Sequence, residues 1–313
     1  MMSARSPLDM TIGGDSSHAM STGTLSARRG YVHTVGRTFA GLRHQPSALI
    51  SLIVLCVWAI VIVFAPLLAP DGPLTQSIAG RLSPPSSSHW FGTDALGRDV
   101  LSRVMFGGRV SVPAALVVVL LSVFVGCTVG LLTGYLGGWL DDVLMRITDV
   151  FMAFPLILLA MAISASLGPS IRNGVIALAF VSWPQYARVT RSVTLDLRSR
   201  EFVLASQVAG QRRSTILGRV IFPNVFPTVF VMASVDVGRA IVNFSVLSFI
   251  GLGARPPVAE WGSMVADGAQ VMSQWWVSTF PGFAIFSLVL AFNFAGDWLR
   301  DLLDPYSRTR DAA

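Results

Sequence analysis

Six long apolar runs, separated by stretches rich in arginine, glycine and proline, set the pattern of the chain. A helix crosses a bilayer with about 20 mostly apolar residues, roughly 30 Å at 1.5 Å per residue. The runs that qualify are 48–70, 113–134, 147–167, 174–194, 226–250 and 276–295. They predict an all-α, polytopic membrane protein with six transmembrane helices. Pro113 suits the opening turn of the second, where its missing N–H has no intrahelical partner to lose. The fourth run is the least regular. Its apolar core is short and contains Pro184, and the helix must continue through Arg188 and Arg191, which can snorkel at a membrane edge. Pro155, Pro184 and Pro281 interrupt backbone hydrogen bonding in the third, fourth and sixth runs, as hinges or as static packing kinks.

Arginine counts give an orientation. With the N-terminus in the cytoplasm, sixteen arginines fall on that side and six on the other, with Arg239 inside the fifth run. This bias puts both termini in the cytoplasm and requires an even number of crossings. Three regions follow: a polar tail at 1–46, a six-span body at 47–305, and a short tail at 306–313. The first tail, with Gly13, Gly14, Ser16 and Ser17, is expected to be largely disordered. Its apolar run starts too late for a signal peptide.

Composition agrees with a membrane chain. Of the 313 residues, 53% are hydrophobic and 13% charged, against about 25% charged in soluble domains. Mean hydropathy is +0.64. The net charge of +6 rests on arginine alone. Without a lysine there is neither Schiff-base chemistry nor a phosphate-loop lysine, and the charge points to a membrane surface rather than to nucleic acid. Cys56 and Cys127 both lie in apolar runs and read as small buried residues without a disulfide framework.

Several constellations carry candidate chemistry. Gly126, Gly130, Gly134 and Gly138 recur every four residues, a stripe that admits a close helix–helix contact. Asp236 and Arg239 lie three apart on one face of the fifth run, with Asn243 near one turn on. They read either as a mutual ion pair or as part of a translocation path. Between runs four and five, Phe202, Val203, Ala205, Val208 and Ala209 form an apolar helical stripe that Gly210 stops, with Pro223 ending the following turn. Such a helix docks on a partner protein or lies on lipid. On the outer side, Asp94, Arg98, Asp99 and Arg103 surround Gly97, with an Asp99–Arg103 ion pair at helical spacing. Glu260 and Trp261 follow a Pro256–Pro257 break. Both stretches read as an outer cap or a surface for an external binding protein. No nucleophile stands near His89 and the two aspartates, and no histidine lies in a span, which argues against a hydrolase. No phosphate-loop motif or clustered metal ligands occur.

The cytoplasmic stretch resembles a motif of ABC importer permeases, Glu-Ala-Ala-x3-Gly-x9-Ile-x-Leu-Pro. Here it reads Leu204-Ala205-Ser206, then Gly210, Val220, Phe222 and Pro223, with glycine and proline at matching spacing and Leu204 in place of the glutamate. His89–Arg103, Ser248–Gly262 and the end from Phe292 to Pro305 resemble, in order, segments of the C-type permease of dipeptide and oligopeptide ABC importers. The resemblance implies a type I importer permease fold in a bacterial inner membrane and inward peptide transport by alternating access. Nickel or another small solute is the alternative cargo, and a non-transporting scaffold a distant one. It implies that Glu201, Leu204, Ala205, Ser206, Gly210 and Pro223 couple to ATPase partners. Implied partners are a homologous second permease, one or two ABC ATPase subunits carrying ATP and Mg, an extracytoplasmic solute-binding protein, and membrane lipid. The chain itself is expected to be non-catalytic and without a cofactor.

Overall fold

The computed structural model describes residues 46–303. The expected tails therefore lie outside the described residues, apart from Pro46. Helices dominate: α1 (Pro46–Leu68), α2 (Val100–Leu136), α3 (Gly138–Ala153), α4 (Leu156–Leu167), α5 (Ile171–Arg198), α6 (Glu201–Val208), α7 (Phe222–Phe249), α8 (Trp261–Ala269) and α9 (Trp276–Leu303). A short turn at Arg213–Thr215 and a π-helical turn at Ile216–Ile221 lead into α7. Among the described residues the one β-bridge joins Thr93 to Asp99.

All six apolar runs are helical, but the elements differ from the expected spans. Helix α2 starts at Val100, so Pro113 lies in its interior rather than in its first turn. Its 37 residues reach about 55 Å, well beyond a hydrocarbon core. Hydrophobicity marks only the part in lipid, which is why the run at 113–134 understates the element. The third run is not one rod. Helices α3 and α4 meet at 92° across Phe154 and Pro155, because proline cannot continue the hydrogen-bond ladder. By length and composition four segments qualify as spans, and the bent pair makes a fifth. Helix α5 is not among them, and two of its arginines have partners. Arg191 forms a two-pronged pair with Asp141 at 2.6 and 2.7 Å, and Arg188 contacts Asp149 at 2.5 Å. The two arginines reach α3 carboxylates instead of simply snorkelling.

Glycines set the central contact. A Cβ on Gly130 would lie 2.5 Å from the Ala187 carbonyl and 2.6 Å from Thr190 Cβ, and one on Gly134 would lie 2.7 Å from Thr194 Cβ. Gly126 packs in the same way on Trp183 and Tyr186. The stripe thus holds α2 against α5 inside one chain. Gly138 is not part of it: it has a positive φ, starts α3 and faces open space. Position numbers rise together on both helices, so α2 and α5 run parallel. The chain between them must return across the same thickness, which makes α3 and α4 one broken crossing. Cys127 is buried beside Thr190, whereas Cys56 lies on an exposed face of α1, contrary to expectation.

Candidate functional site

Three places hold the residues singled out by the sequence. The first is α6. Glu201 opens it, and Gly210 closes it with φ +71°, its N–H donating to Gln207 O at 3.0 Å while Gln211 N–H reaches back to Ser206 O. Val203 is 0% exposed and joins an apolar cluster with Ile216, Ile221, Val225, Val229, Tyr135 and Tyr186. Val208, by contrast, is 88% exposed, and Phe202 and Leu204 also face outward. The helix is thus fastened through one residue and offers an apolar edge. Ala205 and Ser206 lie on its body, Ala205 exposed and Ser206 half-buried. Pro223 does not end a turn. It stands in the first turn of α7, where a missing N–H costs nothing. The π-turn before it, with Phe222 N–H donating to Leu217 O, takes up the misfit.

The second place is a cavity of about 60 Å³ among α2, α5 and α7, room for about two waters. It brings together Asp236, Arg239 and Asn243 as expected, and adds Ser182, Gln185 and Tyr186. Asp236 and Arg239 are paired at 3.0 Å, with side chains 12% and 63% exposed. The carboxylate is therefore set into the wall and the guanidinium reaches it from outside. Tyr186 is buried in the same lining, and its hydroxyl has no partner within hydrogen-bond geometry. Tyr186 was not singled out by the sequence. Its only sequence signal was its place in the run that also contains Pro184.

The segment leading into α2, the third place, is closed rather than displayed. Asp94, Arg98, Asp99 and Arg103 are all buried. Asp94 accepts from the Leu96 and Arg98 amides and from Arg98 Nε at 2.6 Å, with Arg103 Nε at 3.4 Å. The expected Asp99–Arg103 pair does not form. Asp99 instead caps α2, accepting from Ser102 N and Oγ at 2.8 Å, and meets His89 Nδ1 at 3.0 Å. Asp71, His89 and Asp99 bring three metal-type donor atoms within 4.8 Å of one another, but both Asp99 oxygens already serve the cap and His89.

Glu260 is 0% exposed and caps α8 through the Gly262 and Ser263 amides, while Ser111 Oγ donates to it at 3.0 Å. Burial pushes its carboxyl up, against the pull of these hydrogen bonds. Trp261 donates to Val104 O at 2.9 Å and fills space left by Gly107 and Gly108. Trp276 donates to Thr93 O. These residues thus clamp α2, α8 and α9 together, and are not a free docking surface.

Comparison with known proteins gives the family. Residues 126–309 match the family model described as binding-protein-dependent transport system inner membrane component, and residues 36–85 match the N-terminal TM domain of oligopeptide transport permease C. The dipeptide transport system permease protein DppC of Alkalihalophilus pseudofirmus is 41% identical over 85% of this chain and 88% of its own. The glutathione transport system permease protein GsiD of Pectobacterium atrosepticum is 45% identical over 71% and 74%. The nickel transport system permease protein NikC of Escherichia coli is 38% identical over 85% and 96%. With family model and relatives covering most of its length, this chain belongs to the binding-protein-dependent transport system inner membrane component family, as a membrane-spanning ABC permease.

Proposed function

We propose that the chain is one permease of an ATP-driven importer that carries di- or oligopeptides inward by alternating access. The observation that carries this reading is α6, held by buried Val203 and presenting Phe202, Leu204 and Val208 outward. A short helix with an uncovered apolar edge suits a groove on a partner protein, and ATPase subunits are the partner this family requires. The cluster that holds Val203 also contains Tyr186, which lines the cavity with Asp236. A displacement of α6 therefore has a packed route to the transport path. The sequence carries no phosphate-loop motif, so hydrolysis is assigned to the partners. A second, homologous permease completes the path, and a solute-binding protein delivers cargo from outside, with both termini of this chain in the cytoplasm.

Peptide cargo is favoured by the dipeptide relatives, and nickel is the second reading, favoured by the nickel relative at similar coverage. The test is copurification of the tagged chain in mild detergent with a peptide-binding protein added. The expected result is a second permease and ATPase subunits in the same peak, with hydrolysis stimulated by the peptide-loaded binding protein. A chain that purifies alone without hydrolysis refutes the reading, and stimulation by a nickel-loaded protein instead assigns the cargo to metal.

A further inference from the structure

We propose that Asp236 is a cation subsite on the transport path and that Arg239 is its tethered stand-in, held there until the ammonium group of a cargo molecule takes its place. This rests on the reading above that the cavity belongs to the transport path.

The cavity wall is built for a positive group. One Asp236 oxygen meets Arg239 at 3.0 Å, and its carboxylate is mostly buried while the guanidinium is mostly exposed. The Tyr186 side chain is buried, lines the same cavity as this carboxylate, and its hydroxyl has no partner within hydrogen-bond geometry. An unsatisfied polar group in such a place costs free energy unless a ligand or water completes it. Asn243, Gln185 and Ser182 add further side-chain oxygens around the same space. An ammonium wants a carboxylate and two or three neutral acceptors, and this wall offers that set. A guanidinium entering from the exposed side satisfies the charge but leaves the tyrosine unbonded.

A buried carboxylate with no counter-charge is strongly disfavoured at membrane depth. Arg239 removes that cost when no cargo is present, and it does so from a position that allows it to swing away. The exchange of one cation for another leaves the charge of the cavity unchanged, so the path passes cargo without exposing a bare carboxylate to small ions. The peptide terminus is the ammonium that fits the proposed cargo. A cavity of about 60 Å³ holds such a head group but not a whole dipeptide, so the cavity must widen around the rest of the molecule during transport.

The test places a cysteine in the cavity, Asn243→Cys, in a Cys56→Ser, Cys127→Ala background, within the complete transporter in proteoliposomes. Two thiol reagents of similar size are compared, a trimethylammonium-ethyl and a sulfonato-ethyl methanethiosulfonate. Each rate is divided by the rate with a small free thiol. With Arg239 present the two corrected rates lie within about threefold. Arg239→Gln raises the cationic reagent at least tenfold over the anionic one, and adding Asp236→Asn returns the ratio to parity. If Arg239→Gln leaves the ratio unchanged, Asp236 does not read charge and the inference falls, while reaction of the cysteine still supports a water-filled path. If the cysteine reacts with neither reagent under any nucleotide condition, the path reading fails and takes the inference with it. Arg239 is exposed, so its replacement alone decides the matter even where Asp236→Asn lowers the yield.

Discussion

Glu260 shows how much one side chain does in this protein. Its two oxygens take up hydrogen bonds from Ser111 and Gly262, which are buried, and from the half-buried Ser263. Each donor left unpaired costs about 1–3 kcal/mol. Glu260→Ala should therefore destabilise the purified protein by about 3 kcal/mol or more, read as a fall in the detergent melting temperature of roughly 2–4 °C for each kcal/mol. An unchanged melting temperature would mean that the cap contributes nothing. Gly130 is the steric counterpart. Gly130→Ala puts a methyl 2.5 Å from the Ala187 carbonyl, and such overpacking costs about 1–3 kcal/mol; the same melting experiment reads it. The Asp236–Arg239 pair separates charge from position. Exchanging the two residues keeps the ion pair, so folding should survive, but it moves the carboxylate to the exposed place and peptide uptake should fall at least tenfold. Recovered uptake would show that the pair is only structural. At this scale the sequence revealed charge and spacing but not enclosure. Glu260 and its donor Ser111 are 149 positions apart, and no local pattern shows that they meet. The glycine stripe was legible because a spacing of four is itself geometric, and it failed only at Gly138, where the helix had already ended.

Among the elements, α6 depends on its stop signal. Gly210 holds φ +71°, a conformation that costs a residue with a Cβ about 1–2 kcal/mol and a β-branched one more. Nothing crowds the position, so the penalty is conformational. Gly210→Val should leave the helices of the bundle in place but alter the exit from α6. In the reconstituted complex, ATP hydrolysis should persist while peptide uptake falls about tenfold. Gly210→Asn, which tolerates the left-handed region, should keep most of the uptake, and equal loss in both variants would refute the conformational account. The apolar runs all fall in helices, because burial in lipid selects apolar residues whatever the tertiary contacts, and four of them, with the bent pair as a fifth, qualify as spans by length and composition. They missed the extension of α2 back to Val100, where the helix leaves lipid and its residues pack under the outer cap. They also marked Pro155 as an interruption without showing the 92° turn there, because a proline frees hydrogen bonds but the neighbouring helices decide the angle. The π-turn at Ile216–Ile221 had no sequence signal beyond Pro223 itself.

For the whole molecule, the parallel packing of α2 and α5 fixes which ends share a side. The chain around Ser88 precedes α2, whereas Gln207 lines a pocket with Tyr135 and Leu136 at its far end. Some 37 helical residues separate these levels, about 55 Å at 1.5 Å per residue. That exceeds the roughly 30 Å hydrocarbon core, so Ser88 and Gln207 belong on opposite sides of the membrane. Their order follows from arginine, since the end of α5 from Arg188 together with the stretch carrying α6 holds seven of the twenty-three and a positive surplus stays in the cytoplasm. Both residues are exposed, and each is replaced by cysteine in a background free of Cys56 and Cys127. An impermeant thiol reagent added to spheroplasts should label Ser88→Cys at least tenfold faster than Gln207→Cys, and inside-out vesicles should reverse the preference. Labelling of both from one side would contradict the crossing of α2. A reversed order would set the charge rule aside and place α6 where no ATPase can reach it, so this topology and the proposed coupling stand or fall on the same measurement.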